Sequence, residues 1–281
     1  MTRRVLLPLL LLALAACGKT EAPTPTAPTA QSTAAMPASA DEPAASTSAA
    51  PVSASTAAPA PNAAADAAAQ QALAGANDPS GLVEGTDYVT IKGGEPWKPL
   101  DGKIEVVEVF GYVCPACASF DPLVSAWKSK LPADVRFSYV PAPFGAEWNP
   151  YAKAFYVAES MGLVDRSHSA LIREIHLTQS MPGEGDPVDE QKIANFYGKY
   201  GANPKEFLST MNSFSVSAQV NKGRQFMIRS GANSTPTLIV NGKYKVTGQS
   251  FEDMLRIASG LIAKERAAAG GAPAAAAPSQ G

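Results

Sequence analysis

The chain has 281 residues, with 23 Lys and Arg against 25 Asp and Glu and a formal net charge of −2. That balance leaves no basic cluster of the kind that binds nucleic acid. Its three cysteines and two histidines, His168 and His176, fall short of a zinc site, because the histidines lie apart from the thiols in a helical stretch, so no metal is expected.

Arg3 and Arg4 precede the apolar run Val5 to Ala13, which is too short to span a bilayer and reads as a secretory signal. Gly18 and Lys19 end the run. Leu14-Ala15-Ala16-Cys17 has the form of a bacterial lipobox, so residues 1–17 are read as a lipoprotein signal peptide with Cys17 as the lipidation site. From Glu21 to Ser80, 46 of 60 residues are Ala, Pro, Ser or Thr, and only Met36, Val52 and Leu73 are large and apolar. Such a segment cannot bury enough apolar surface to offset its ordering entropy. Residues 18–82 are therefore expected to form a disordered tether, with helix an alternative only at 63–76, beyond Pro61. The Ala/Pro/Gly run 267–281 is expected to be a disordered tail.

Asp87 to Ile91 is a short strand candidate. Lys103 to Val113 is nearly continuous in β-rich apolar residues, which suits a central strand covered on both faces. Phe120, Leu123, Val124, Trp127 and Leu131 then recur at helical spacing, and Val135 to Val140 is another strand. Helices are expected at 150–161, 166–175, 188–200, 204–212 and 217–230, the fourth opened by an Asn203 cap and Pro204. Two β runs then flank Asn241-Gly242, a strong hairpin signal. Ser250 with Asp253 caps a last helix carrying Phe251, Met254, Leu255, Ala258, Leu261 and Ile262. Trp97, Trp127, Trp148, Phe110, Tyr112 and Phe144 are expected in the core, with Tyr112 and Phe144 alternative walls of a peptide groove. His168 and His176 are expected at the surface or at caps.

Cys114-Pro115-Ala116-Cys117 stands where the central strand runs into the first of these helices. Two thiols three residues apart can bond each other, and the one at the helix entrance meets unpaired N–H groups and the positive end of the dipole. With Cys17 assigned to lipid, no other thiol remains in the exported chain. This is the chemistry of thiol–disulfide exchange.

The run Glu108 to Cys117, and Thr235-Pro236-Thr237 before Val240-Asn241-Gly242-Lys243-Tyr244, resemble the DsbA family of thiol:disulfide oxidoreductases. The resemblance covers about Tyr88 to Ile262. It implies an α/β, thioredoxin-like fold over 83–145 and 233–266, with an all-helical domain inserted at 146–232. Cys117 and Pro236 stand 119 positions apart, room enough for that insertion. The resemblance also implies that Cys114 is the nucleophile and Cys117 the resolving thiol. Pro115, Ala116 and Glu108 would tune the pair, while Thr235 and a cis Pro236 would hold an extended substrate chain. The family pairs the Glu108 acid with a lysine, where this chain has Tyr139. It also commonly has His where this chain has Ala116, so Cys114 is expected to be less acidic than in the family's archetype.

These readings describe an enzyme with no cofactor beyond its own Cys114–Cys117 disulfide. It would oxidise newly exported, cysteine-containing proteins from the periplasm-facing side of the inner or outer membrane of a Gram-negative bacterium, as a monomer held by lipid on Cys17. A DsbB-like membrane protein would reoxidise it. A reductase or isomerase kept reduced in the periplasm is the alternative, and a non-enzymatic peptide-binding lipoprotein a further one.

Overall fold

The structure is a computed structural model that describes residues 62–74 and 81–270. The signal peptide, Cys17 and most of the expected tether and tail lie outside the described residues. The described chain runs α1 (Ala63–Ala74), β1 (Tyr88–Thr90), β2 (Ile104–Phe110), α2 (Pro115–Lys128), β3 (Val135–Pro141), α3 (Trp148–Ser160) and α4 (Val164–His176). It continues through α5 (Glu190–Gly198), α6 (Pro204–Met211), α7 (Phe214–Ser230), β4 (Thr237–Val240), β5 (Tyr244–Val246) and α8 (Phe251–Ala268).

The strands form one sheet in the order β1-β5-β4-β2-β3, parallel only between β2 and β3. All seven residues of β2 are buried, because helices cover both faces of the sheet. Its side chains alternate between two cores. Ile104 and Val106 pack under α2 and α8 with Phe120, Trp127 and Leu255, whereas Val107 and Val109 pack against the block α3 to α7. That block shares its core with the sheet, so Phe155, Ile193, Phe207 and Phe226 belong to one continuous apolar cluster with Val107 and both cysteines. Register then places the site. Val109 pairs with Thr237, which brings the Thr235–Pro236 turn beside the end of β2 and the start of α2.

Local chemistry sets the element ends. Asn203 Oδ1 accepts from the Lys205 and Glu206 amides, and Ser250 Oγ from that of Asp253. At the hairpin both Asn241 and Gly242 take positive φ, 50° and 66°. Gly242 is further required because a Cβ there would stand 2.1 Å from the Glu95 backbone.

Two expected boundaries are corrected. Residues 63–74 are helix, not tether: Asn62 Oδ1 caps the Ala64 and Ala65 amides, and Ala65, Ala69 and Ala72 are buried. Each buried methyl contributes roughly 0.8 kcal/mol. Asp66 pairs with Lys130, which ties the helix to the chain just beyond α2. At the other end α8 continues to Ala268, because its last turn is anchored. Arg266 grips Asp134 with two bonds of 2.7 and 3.1 Å, and Glu265 accepts from Asn241, Lys243 and Tyr244.

Candidate active site

Cys114 is the N-cap of α2, in extended conformation, and its Sγ accepts from the Cys117 amide at 3.4 Å. Pro115 opens the helix without needing a partner for the amide it lacks. Pro115 is exposed and Ala116 half-buried, while Cys114 is 7% and Cys117 1% exposed, so an incoming thiol meets Cys114 first. Both are unbonded thiols in the structure. The Gly111 amide donates to Cys117 Sγ at 3.4 Å. Gly111 has to be glycine, because a Cβ would stand 2.0 Å from the Trp148 ring.

The environment separates the two thiols. A hydrogen bond from Cys117 pulls Cys114 down to about 6, against the opposing effect of burial, and hydrogen bonds from Thr235 and the Cys117 and Ala116 amides add to the depression. Cys117 moves far the other way, through its bond to Cys114, then burial, then the charge of Glu108. At neutral pH the pair is therefore a Cys114 thiolate and a Cys117 thiol. The Thr235–Pro236 peptide is cis, and the Thr235 carbonyl oxygen lies 3.6 Å from Cys114 Sγ, where it accepts only from the protonated thiol. Thr235 and Pro236 are half-buried at the mouth of the site.

Glu108 is only 2% exposed, and its Oε2 has no hydrogen-bond partner. Burial pushes its carboxyl well above the usual carboxylate range. The charge of Asp121 adds to that, while Lys128 opposes it. Tyr139 stands opposite Glu108 in the β2–β3 register, where the family resemblance places a lysine. The cation comes instead from Lys128, the last residue of α2. Its Nζ donates to the Tyr139 hydroxyl at 3.2 Å and lies 4.8 Å from that ring's centre.

Two side chains here, Asp121 and Lys128, were not singled out from sequence, and a third, His168, was expected elsewhere. Asp121, one turn beyond Cys117, accepts from Ser169 at 3.0 Å and Ser125 at 3.4 Å, and its i+4 spacing from Cys117 was a legible signal. Lys128 falls two turns further along the same helix. His168, expected at the surface, is 4% exposed and stacks on Tyr139 with ring centres 4.1 Å apart. Its Nδ1 is 3.2 Å from the Tyr112 hydroxyl and its Nε2 3.9 Å from Asp121 Oδ1, and burial keeps the ring neutral. His176, also expected at the surface or at a cap, is the half-buried last residue of α4 and donates from Nε2 to the Tyr112 carbonyl at 2.8 Å. Both rings pack because α4 turns its histidine face toward the sheet.

Among the expected core aromatics, Trp97, Trp127, Trp148, Phe110 and Tyr112 are buried, which removes Tyr112 from any groove. Phe144 is 47% exposed beside Trp148, in the segment that follows β3. Among the described residues no cluster of His, Cys, Asp and Glu is arranged to hold a metal ion.

A family model described as Thioredoxin matches residues 100–258. The chain is 38% identical over 188 residues to the thiol:disulfide interchange protein DsbA of Pseudomonas aeruginosa, covering 66% of this chain and 86% of that protein. It is 35% identical over 191 residues to the DsbA of Pseudomonas syringae pv. tomato, covering 67% and 86%. Among solved structures it resembles the oxidoreductase DsbA from Xylella fastidiosa, with a TM-score of 0.64, 45% identity, and 66% and 98% of the two chains covered.

Proposed function

The chain belongs to the DsbA family of thiol:disulfide interchange proteins, and from that premise we propose that Cys114 and Cys117 are the pair that carries its exchange chemistry. The chain is a thiol:disulfide oxidoreductase of the type that oxidises exported proteins. The observation that carries the residue assignment is the placement of both thiols in one helix turn, with Cys114 capping α2, accepting from the Cys117 amide at 3.4 Å and lying 3.6 Å from the Thr235 carbonyl oxygen.

In the oxidised protein a substrate thiolate attacks Cys114 Sγ, the more accessible sulfur. The Cys114–Cys117 bond breaks and its electron pair leaves on Cys117, which takes up a proton. A second substrate thiolate then attacks the substrate sulfur of the mixed disulfide and expels Cys114 as its stable thiolate. The substrate leaves with a disulfide and the enzyme with a thiolate and a thiol. Thr235 and Pro236 border the reacting sulfur, where an extended substrate segment pairs with the backbone. Phe144, exposed against Trp148, offers that segment an apolar contact.

The reading extends to place and partners. Lipid on Cys17 tethers the domain to the inner or outer membrane, facing the periplasm, and a DsbB-like membrane protein restores the disulfide. Acid quenching of cells followed by thiol alkylation tests the direction of flow. A mainly oxidised Cys114–Cys117 pool is expected, and a mainly reduced pool overturns the oxidase reading. Cys17→Ser is expected to move the protein from the membrane to the soluble fraction; a Cys17→Ser protein that stays membrane-bound overturns the anchor.

A further inference from the structure

The chain carries a formal net charge of only −2, yet its charges are unevenly placed. Between Glu206 and Glu252 stand five cations, Lys222, Arg224, Arg229, Lys243 and Lys245, and no Asp or Glu. This stretch builds α7, the Thr235–Pro236 turn and the β4–β5 hairpin, so one wall of the active site has no negative side chain of its own. The fold engages two of the five. Lys243 bonds Glu265 at 2.6 Å, and Lys222 Nζ lies 4.2 Å from the centre of the Trp97 ring. Arg224 points about 140° around α7 from Arg229, five residues on.

Arg229 and Lys245 remain, and they converge at the end of α7. Arg229 is exposed in the last turn, and Lys245 reaches from β5 to donate to the Gly231 carbonyl at 3.0 Å. Neither forms an ion pair among the described residues. Beyond Gly231 the chain runs through Ala232, Asn233 and Ser234 to Thr235, whose carbonyl oxygen is 3.6 Å from Cys114 Sγ. Four residues span at most about 14 Å. Among the described residues the Asn233, Ser234 and Thr235 amides donate to no backbone carbonyl, and Asn233 and Ser234 are exposed. The result is a short open edge with the reacting sulfur at one end and two cations at the other.

We propose that Arg229 and Lys245 form an anion-reading rim, which makes the protein favour cysteine-bearing segments with acidic side chains three to five positions from the reacting cysteine. The proposal rests on Cys114 being the attacked sulfur and on the substrate lying along the Thr235 edge. An extended chain rises about 3.3 Å per residue, so its third to fifth residues from a cysteine held at Cys114 lie about 10 to 17 Å away, level with the rim. The third and fifth side chains also share one face of such a strand. The rim is continuous with the substrate edge, which is why an acidic flank of the substrate is its occupant. Two cations are too few for an anionic bilayer, which takes clusters of about four to eight. Each exposed ion pair contributes little by itself, but a wall without carboxylates also raises the local concentration of an acidic segment.

The test uses reduced peptides with two cysteines, identical except for Glu, Gln or Lys at the third and fifth positions on either side of the pair. Stopped-flow tryptophan fluorescence follows reduction of Cys114–Cys117 in the full chain as the peptide dithiol becomes its disulfide. The readout is the rate with the Glu peptide over that with the Gln peptide, compared between proteins. That comparison cancels the effect of the glutamates on the peptide's own thiols. At low ionic strength the ratio is expected to be about fivefold lower in Arg229→Gln/Lys245→Gln than in the parent, and the difference should fade in about 0.5 M salt. Arg229→Glu, which leaves Lys245 on Gly231, should turn the order over so that the Lys peptide outruns the Glu peptide. It also serves should the double variant not fold.

A ratio unchanged by both variants overturns the rim, because a merely structural role at the helix end would move stability and leave the ratio alone. A difference that persists in salt overturns it as well, since shape rather than charge would then be read. Unchanged ratios combined with weaker sedimentation of the unlipidated double variant on phosphatidylglycerol vesicles would assign these cations to lipid instead. A parent disulfide that neither the peptides nor a small dithiol reduces refutes the exchange reading itself, an outcome distinct from equal ratios.

Discussion

Cys114 Sγ lies 3.6 Å from the carbonyl oxygen of Thr235, a contact between residues separated by 121 positions. The antiparallel pairing of β2 with β4 makes it, and nothing in the intervening helices takes part. It sets a hydrogen-bonding residue from one end of the fold against a thiol whose charge is controlled by the helix at the other end.

That thiol should titrate near neutrality. Thiolate absorbance near 240 nm is expected to show Cys114 with a midpoint of about 6, while Cys117 stays protonated throughout. Reduction then takes up two protons below that midpoint and one above it. The reduction potential should fall by roughly 59 mV per pH unit below it and roughly 30 mV above it. Stability follows the same group. The folded pKa lies below the unfolded value of about 8.5, so the thiolate's contribution to the reduced form is complete above that value and disappears as pH falls through about 6. Urea unfolding of reduced and oxidised protein at both pH limits checks the sign. Ala116→His should lower the midpoint further, because an imidazolium favours the adjacent thiolate.

Glu108→Gln should stabilise the fold while slowing exchange. The buried carboxyl is held protonated above the usual carboxylate range, so the folded state loses stability as pH rises past the unfolded value of about 4.3. An amide carries no such penalty. The gain is expected to be on the order of 1 kcal/mol at neutral pH and to shrink toward zero in acid. Denaturant midpoints measured across that range decide it, and a gain that is flat with pH contradicts the assignment.

Gly111→Ala should be costly despite adding one methyl group. The new Cβ would sit 2.0 Å from the Trp148 ring, so either the ring or the backbone carrying the bond to Cys117 must move. A loss of about 1–3 kcal/mol is expected, together with a shift in Cys114 acidity as the pair is displaced. Thermal unfolding and the thiolate titration report the two effects separately.

Ala69→Glu tests the docked N-terminal helix. Ala69 is fully buried on α1 against the core beneath α2 and α8, so a carboxylate there is expected to cost about 2–3 kcal/mol. Ala67→Glu, on the exposed side of the same helix, should be near neutral. Equal midpoints for the two variants in thermal unfolding contradict the docking.

What the sequence determined by itself was local. A β-rich run ending in Cys-Pro-Ala-Cys at the start of a helical period carries the thiol chemistry, because strand, cap and dipole are set by neighbours within a few residues. The capped helices and the Asn241-Gly242 hairpin were legible for the same reason. Only tertiary structure decided which polar side chains surround Cys117. His168 sits on an amphipathic helix whose histidine face could equally have met water, and Lys128 reaches Tyr139 only because the end of α2 overhangs the edge strand β3. The composition of 63–74 argues against a core of its own, yet its alanine face finds one that α2 and α8 supply. Period and composition report how a segment is built, whereas burial depends on what packs against it, and that partner lies elsewhere in the chain.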